Sequence, residues 1–287
     1  HTAYRRQRQM CIRDSIIAVL KAGMEWMEDW GAVREKVLGV LPMFHIYGLA
    51  LNYALPLSIG AEMVLVPAPK PKLYQTAITK TRPTVLPGVP TLYDKIIEWA
   101  VETNADLSSI HTSVSGASTL PVETIERWEN ATGGRLIEGY GLTETAPILA
   151  GNPLDGTRRP GYIGLPFPNT EIRIADPDDP SRTMPDGEPG ELLARGPQVF
   201  SGYLNSPEAN ERAFHDGWFR TGDMAVMEPD GWIKLVARIK EMIITGGFNV
   251  YPDEVEGVMR NHPDIEDIAV VGRPRPDGSE DVVACIT

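Results

Sequence analysis

The sequence predicts an α/β protein: a largely parallel, helix-covered sheet, then a small β-barrel-like subdomain, then the start of a small α+β C-terminal domain. Three observations predict this class. Strand-like and helix-like apolar patterns alternate up to Glu138, which is typical of parallel sheets. Pro, Gly and Asp then become dense from Asn152 to Gly190, between short alternating runs that predict antiparallel strands. After Arg238, strand, turn, helix and strand patterns begin again.

The elements of the first part follow from the spacing of apolar residues. From Ile16 to Trp30, including Met27, apolar side chains recur every three or four positions, which predicts a helix. Pro90 opens a later helical pattern, at the position where a missing N–H is tolerated. The predicted strands are Val37–Leu41, Met63–Val66, Thr84–Leu86, Thr112–Ser115 and Leu136–Glu138. The predicted helices are the segment that follows Leu49 and ends at Ile59, then Leu73–Thr81, Pro90–Glu102 and Pro121–Ala131.

The later elements are shorter, and they divide the chain further. The predicted strands are Glu171–Ile174, Glu191–Ala194, Met224–Met227, Trp232–Val236, Met242–Ile244 and Ile265–Val271, and the predicted helices are Glu208–Phe214 and Asp253–Arg260. A last strand-like run, Val282–Ile286, has no partner following it. We therefore expect four segments: a leader foreign to the fold (1–15), an α/β part (16–151), a β-rich subdomain (152–237), and a hinge with a truncated C-terminal domain (238–287).

Composition excludes several classes of function. Of 287 residues, 42% are hydrophobic and 23% charged, with a net charge of −12, which argues against nucleic-acid binding as the main function. Cys11 and Cys285 lie near opposite ends, so we expect neither a disulfide framework nor a zinc site. The basic leader lacks the apolar core of a signal peptide. A tag, a disordered arm or an artefact is the expected reading, and a nucleic-acid-binding arm is the alternative.

The stretch RLIEGYGLTETAP, Arg135 to Pro147, carries the main chemical signal. Glycines at a strand end let a ligand approach the main chain. Thr143, Glu144 and Thr145 follow, and exposed N–H and hydroxyl groups beside a carboxylate suit a phosphate with its Mg²⁺ ion. An ordinary Gly-rich turn capped by Thr is the alternative.

Five stretches stand out in order: PMFHIYGL (Pro42–Leu49), SVSGAS (Ser113–Ser118), the YGLTE stretch, DGWFRTGD (Asp216–Asp223) and ARIKEMIITGGFNVYPDEVE (Ala237–Glu256). They resemble motifs of the adenylate-forming enzymes, the family of acyl-CoA synthetases and luciferases. The stretches EGYGLTETAP, GPQVFSGYLN, TGDMAV and GGFNVYP look most like bacterial long-chain fatty-acid–CoA ligases. The resemblance runs from about Ile16 to the chain end.

The resemblance implies roles for individual residues. His45, Thr143, Glu144 and Lys240 would be catalytic, with Glu144 holding Mg²⁺ and Lys240 acting as the pivot of the small domain. The nucleotide would contact Gly116, Ala117, Glu138, Gly139, Tyr140, Gly141, Thr143, Asp223, Arg238 and Asn249. The acyl group would contact His45, Tyr47 and Gly116, and coenzyme A would contact Gly246 and Gly247. Asp223 suits its role because one carboxylate can accept both ribose hydroxyls.

Each assignment has a plainer alternative. His45 could be a satisfied core histidine, and Lys240 a solvated residue on a linker. Gly116 and Ala117 could form an ordinary strand-to-helix turn. Asp253, Glu254 and Glu256 are better read as acids in the first turn of a helix than as ligands.

The implied reaction joins a fatty acid, ATP and CoA, with Mg²⁺ as cofactor. An acyl-adenylate forms first, and CoA then displaces AMP. An aryl- or medium-chain ligase, an acyl-AMP ligase that serves a carrier protein, and a non-catalytic nucleotide-binding remnant remain as alternatives. We expect a cytoplasmic location, with loose attachment to the inner membrane face as the alternative.

Two family features are missing: a Gly/Ser/Thr-rich phosphate loop before Ile16 and a late lysine beyond Thr287. We therefore expect the isolated chain to adenylate slowly. A first sheet of the family is also missing, which would leave apolar surface exposed, so we expect the isolated chain to be poorly soluble.

Overall fold

The computed structural model describes residues 13–26, 34–245, 248–260, 262–265, 267–275 and 280–287. The strands are β1 (Lys36–Gly39), β2 (Glu62–Leu65), β3 (Val85–Gly88), β4 (Thr112–Ser115), β5 (Arg135–Tyr140), β6 (Ala150–Gly151), β7 (Leu165–Pro166), β8 (Glu171–Ala175), β9 (Gly190–Arg195), β10 (Phe214–His215), β11 (Trp218–Met227), β12 (Ile233–Arg238), β13 (Ile243–Thr245), β14 (Phe248–Val250), β15 (Ile268–Pro274) and β16 (Glu280–Ile286).

The α-helices are α1 (Arg13–Trp26), α2 (Ile46–Leu49), α3 (Leu55–Ile59), α4 (Pro71–Thr81), α5 (Pro90–Thr103), α6 (Val122–Thr132), α7 (Pro207–Ala213) and α8 (Pro252–Met259). A π-helical turn, Ala50–Ala54, joins α2 to α3, and a 3-10 turn, Thr143–Thr145, follows β5. Among the residues that the structure describes, no helix has both the length and the apolar character needed to cross a membrane.

The chain forms two compact units. The first contains the residues up to Glu171 and the segment Ala194–Gly217, and the second contains Ile172–Leu193 and Trp218–Thr287. This division differs from the four segments expected, because Ala194–Gly217 belongs to the first unit.

A seven-stranded sheet organises the first unit, in the order β2-β1-β3-β4-β5-β6-β7. The first five strands of this order run parallel to one another, whereas the β5–β6 and β6–β7 pairs are antiparallel. The largely parallel, helix-covered sheet predicted from the alternating pattern is confirmed. In such a sheet the carboxyl ends of adjacent strands meet at one edge, where ligands usually bind.

The core of this unit joins strands to helices. Leu38, Leu86 and Leu136, from β1, β3 and β5, are fully buried with Ile96 of α5 and Trp128 of α6. Each side chain of this kind stabilises the fold by about 1.5–3 kcal/mol on burial. The core therefore fixes the strands whose carboxyl ends carry the predicted site.

Two elements of the first unit differ from the sequence prediction. Helix α1 begins at Arg13, and Ser15 is 6% exposed, so the boundary expected after residue 15 lies inside a helix. Met27 and Trp30 lie outside the described residues. The helix predicted to end at Ile59 is interrupted by the π-helical turn, where buried Asn52 donates from Nδ2 to the Leu41 carbonyl oxygen at 3.1 Å.

The second unit is rich in short strands. Strands β12, β11, β9 and β8 neighbour one another in that order, and β11 and β12 pair antiparallel with an irregularity at Met224/Ala225. Strands β13 and β14 form one antiparallel pair, and β15 and β16 form another. The run Val282–Ile286 thus pairs with the strand that precedes it in the chain. Ile243, Ile268 and Val270 form a small core beside α8.

Candidate functional site

Three stretches that are distant in sequence converge at the carboxyl edge of the parallel sheet. A Cβ atom placed on Gly116, just after β4, would lie 3.3 Å from the ring of Tyr47 and 3.4 Å from the carbonyl oxygen of Gly139. Tyr47 belongs to the segment that follows β1, and Gly139 lies in β5. The fold therefore brings the histidine motif, the Gly-Ala loop and the Gly-Tyr turn together.

His45 marks the start of α2 and is held by its own helix. Its Nδ1 accepts the N–H of Tyr47 at 3.2 Å, so a neutral ring carries its proton on Nε2. Partial burial lowers the pKa of His45 from its usual 6.5, because desolvation disfavours the imidazolium. The side chain can thus offer an N–H donor at neutral pH without bringing a positive charge.

The hydroxyl of Tyr47 is directed into the protein. Its Oη lies 2.7 Å from the carbonyl oxygen of Val114 and 3.1 Å from that of Gly88. Burial raises the pKa of this phenol. Only the ring faces Gly116, so any contact with an acyl group would be apolar.

The turn after β5 depends on main-chain proximity. A Cβ atom at Gly141 would lie only 1.9 Å from the carbonyl oxygen of Pro147, so no other residue fits there without a shift. Thr145 is fully buried, and its hydroxyl donates to the Leu142 carbonyl oxygen at 3.0 Å and accepts the Leu142 N–H at 2.9 Å. Thr145 therefore closes the turn, and its hydroxyl is buried where we expected an exposed one. Thr143 and Glu144 remain half-exposed.

Glu138 is buried, and it supports the Gly-Ala loop. It lies opposite Ser115 across the β4–β5 pair, and its Oε1 accepts the N–H of Leu120 at 3.3 Å. Burial raises the pKa of Glu138 to about 7, and the hydrogen bond from Leu120 partly opposes that shift. Such a placement favours an indirect role: the side chain anchors the loop that begins at Gly116.

Glu144 has a partner that sequence reasoning missed. Its Oε1 accepts a hydrogen bond from Tyr203 Oη at 2.8 Å, and its carbonyl oxygen accepts the N–H of Phe200 at 2.8 Å. Both partners lie in GPQVFSGYLN, which resembles the family but to which we assigned no role. The one sequence signal for this contact was Tyr203 itself, which lies in a family-like stretch without an assigned role.

In the second unit, Asp223 and Arg238 face each other across β11 and β12. Arg238 Nε lies 3.3 Å from Asp223 Oδ1, with 64% of the Arg238 side chain exposed and 7% of the Asp223 side chain. Asp223 donates its N–H to Thr221 Oγ1 at 3.1 Å. The structure thus pairs the two residues expected to contact ribose.

Lys240 lies just after β12 in a hydrogen-bonded turn. The Arg238 carbonyl oxygen accepts the N–H groups of Glu241 and Met242, each at 3.0 Å, and the Lys240 side chain is exposed. Asn249 pairs with Ile244 through β13 and β14. The side chain of Asn249, and Gly246 and Gly247 entirely, lie outside the described part of the chain.

The chemistry of the first-unit site fits Mg²⁺. Within the described ranges, no three His, Cys, Asp or Glu side chains group closely enough to hold a metal by themselves. Mg²⁺ usually binds through one or two carboxylates together with substrate phosphates and water. Glu144, a half-buried carboxylate on a glycine-rich turn, is a ligand of that kind.

Comparisons with known proteins match most of the chain. A family model described as AMP-binding enzyme matches residues 12–204. The long-chain-fatty-acid–CoA ligase of Bacillus subtilis (strain 168) is 40% identical over 279 residues, which cover 96% of this chain and 49% of the relative. The chain spans about half the length of the curated relatives it matches.

Two solved structures give the same picture. ATP-bound MatB from Rhodopseudomonas palustris is 31% identical, with a TM-score of 0.85 over 95% of this chain and 53% of the other. O-succinylbenzoate coenzyme A synthetase (MenE) from Bacillus subtilis, in complex with ATP and a magnesium ion, is 26% identical. Its TM-score is 0.83, over 96% of this chain and 56% of the other.

Proposed function

This chain belongs to the AMP-binding enzyme family, and we propose that the protein carrying it activates a long-chain fatty acid with ATP and transfers the acyl group to coenzyme A. The observation that carries the proposal is the convergence at Gly116, where the ring of Tyr47 and the carbonyl oxygen of Gly139 meet the Gly-Ala loop. The 40% identity to a long-chain-fatty-acid–CoA ligase supports the substrate class.

In the first half-reaction, an oxygen of the fatty-acid carboxylate attacks the α-phosphorus of ATP, and the bond to pyrophosphate breaks. The main chain of Gly139 and Tyr140 would pack against adenine, and Thr143 would contact a phosphate oxygen. Asp223 would accept the ribose hydroxyls, with Arg238 beside it. Holding two reactants in line removes much of the entropic barrier of a bimolecular step.

Glu144 would hold Mg²⁺, which supplies charge neutralisation at the phosphates when it is bound. His45, neutral at pH 7, would donate from Nε2 to the acyl carboxylate and would line the route to the thiol channel. Tyr47 and Gly116 would border the acyl group.

In the second half-reaction, the thiolate of CoA attacks the acyl carbon, and the bond to AMP breaks. Lys240 would act as the pivot between the two half-reactions, and Asn249 would lie near the adenylate. Gly246 and Gly247 would allow the thiol arm of CoA to approach the main chain. Fatty acid, ATP and CoA are the proposed partners, and the proposed location is cytoplasmic, with loose attachment to the inner membrane face as the alternative.

A second candidate is a ligase for aryl or medium-chain acids, or one that passes its acyl group to a carrier protein. The similarity to a synthetase named for O-succinylbenzoate favours including aryl acids. Pocket shape sets the choice among acids, and one methylene in an apolar pocket discriminates by only about 1–3 kcal/mol.

Acid-dependent ATP–pyrophosphate exchange tests the proposal. With the gene product that carries these 287 residues, we expect exchange that requires Mg²⁺ and is fastest with long-chain fatty acids. Faster exchange with benzoates or medium-chain acids would select the second candidate. AMP binding without any exchange would indicate a non-catalytic nucleotide-binding protein.

Replacing Glu144 separates catalysis from folding in that assay. Glu144→Gln should slow exchange by about 10²-fold or more, as removal of other electrostatic groups does, and should leave the thermal midpoint within a few degrees. Glu171→Gln is the matched control, because Glu171 is exposed and pairs with Arg195 at 2.6 Å. Wild-type exchange rates for Glu144→Gln would refute the metal assignment.

A further inference from the structure

Glu144 accepts two hydrogen bonds from a segment that lies far away in sequence. The main-chain N–H of Phe200 and the hydroxyl of Tyr203 both donate to Glu144, the first to its carbonyl oxygen and the second to Oε1, each at 2.8 Å. One residue is therefore held at its main chain and at its side chain by the same short segment. A half-buried carboxylate held in this way keeps one rotamer.

Tyr203 is itself clamped, so its hydroxyl has a defined position. Asn210 Oδ1 accepts the Tyr203 N–H at 2.5 Å, and Asn210 Nδ2 donates to the Tyr203 carbonyl oxygen at 2.9 Å. Both bonds come from one side chain of α7. The Tyr203 ring also packs edge-on against Phe200, with 4.8 Å between ring centroids.

The residue before Tyr203 completes this clamp. Gly202 has φ +135°, and a Cβ atom there would lie 2.9 Å from Asn210 Oδ1. Only glycine adopts this conformation at low cost while leaving the amide of Asn210 against the main chain. The order Gly-Tyr, with Asn seven positions later, thus specifies where the phenol lies.

A hydrogen bond donated to one carboxylate oxygen fixes the orientation of the carboxylate. The second oxygen then points in one direction. Groups that orient a metal ligand in this way commonly change metal affinity by about 10–100-fold when they are removed. Among the described residues, Tyr203 donates such a hydrogen bond to the Glu144 carboxylate.

We propose that Tyr203, clamped by Asn210, is a positioning residue that orients the Glu144 carboxylate toward the divalent cation bound with the nucleotide. The inference rests on the proposed function, since it takes Glu144 as the cation ligand. A purely structural Tyr203 would satisfy the carboxylate and contribute to stability, with no effect on the cation.

Direct cation binding distinguishes these roles. In the gene product saturated with a non-hydrolysable ATP analogue, electron paramagnetic resonance measures the dissociation constant of Mn²⁺. Tyr203→Phe should raise that constant about tenfold, and Asn210→Ala should raise it by a smaller factor. In exchange assays, Tyr203→Phe should raise the Mg²⁺ concentration for half-maximal rate and regain most of its rate at saturating Mg²⁺.

Tyr93→Phe is the matched control, because it also removes a phenol hydroxyl that donates a hydrogen bond. Tyr93 Oη lies 2.7 Å from the Val114 carbonyl oxygen and 3.0 Å from that of Leu86, so its loss should lower the thermal midpoint without changing the Mn²⁺ constant. A Mn²⁺ constant for Tyr203→Phe within twofold of wild type would overturn the inference.

Glu144→Gln separates this inference from the proposed function. If Glu144→Gln loses Mn²⁺ binding while Tyr203→Phe keeps it, only the role of Tyr203 fails. If Glu144→Gln itself binds Mn²⁺ as tightly as wild type, the metal assignment fails, and the role of Tyr203 fails with it.

Discussion

The predicted site residues fall into two groups, one in each unit, and the groups are built in different ways. In the first unit, packed neighbours leave little room for a Cβ atom: at Gly116 the Tyr47 ring would lie 3.3 Å from it, and at Gly141 the Pro147 carbonyl oxygen would lie 1.9 Å from it. In the second unit, Asp223 and Arg238 are side chains at facing strand positions, and most of the Arg238 side chain is exposed. The first positions depend on close packing at the sheet edge. The second pair depends on the charges of two side chains.

This difference predicts different responses to substitution. Added atoms in a packed region force shifts of the main chain, whereas changes at exposed side chains usually alter stability by about 0.5 kcal/mol or less. Substitutions at Gly116 and Gly141 should therefore damage fold and site together. Those at Asp223 and Arg238 should damage the site and largely spare the fold.

The largest expected effect is at Gly141. Gly141→Ala should lower the free energy of unfolding by about 4 kcal/mol, because the added methyl would meet the Pro147 carbonyl oxygen at 1.9 Å. Hydrogen–deuterium exchange of the peptides that contain β5 and β6 measures the loss of stability in this region.

Gly257→Ala in α8 is the matched change in the second unit. A Cβ atom there meets nothing within 4 Å, so the helix should gain about 0.5–1 kcal/mol. Equal destabilisation by the two alanines would show that close packing does not account for the effect at Gly141.

The next effect is at Glu138, and it depends on pH. Burial raises the pKa of Glu138 to about 7 from a reference of 4.5, so between those values the folded state holds a proton that the unfolded state has released. The contribution of Glu138 to stability therefore falls as the pH rises through this window and is constant above it.

Glu138→Gln stays uncharged at every pH. It should be more stable than wild type by roughly 3 kcal/mol at pH 8, and the two should agree near pH 4.5. Urea unfolding at both pH values measures the difference. A constant offset between the two proteins would show that the carboxyl group titrates normally in the fold.

The smallest effect on folding is expected at Asp223, with a clear effect on the ligand. Asp223→Asn should weaken AMP binding by about tenfold, since an amide has one acceptor atom where the carboxylate has two. Stability should fall by about 1 kcal/mol or less, because the Arg238 side chain of this ion pair is largely exposed. Isothermal titration with AMP tests this, and an affinity within twofold of wild type would contradict the ribose assignment.

Local patterns were sufficient for most elements of the first unit. Thr112–Ser115 was predicted at the bounds of β4, where the alternation of strand and helix patterns along the chain requires a strand. The π-helical turn could not be predicted, since it coincides with a tertiary hydrogen bond from Asn52 to the Leu41 carbonyl oxygen. Its sequence reads as an ordinary apolar helix.

The candidate site was located from sequence, but not the direction of its side chains. Thr143 and Thr145 look equivalent in the sequence, yet only Thr145 is fully buried and closes the turn. The bond from Tyr203 to Glu144 joins residues 59 positions apart. Neither spacing nor composition carries that information, because it arises from how α7 and its preceding loop pack.

Binding of a hydrolysis-resistant acyl-adenylate tests the central claim most directly, namely that the converging stretches form one site for an acyl group joined to AMP. The measurement is the dissociation constant of palmitoyl-sulfamoyl-adenosine for the gene product that carries these residues. We predict binding more than about tenfold tighter than that of AMP or palmitate alone, because one ligand would make the acyl contacts and the nucleotide contacts together. Binding no tighter than that of AMP would contradict the account.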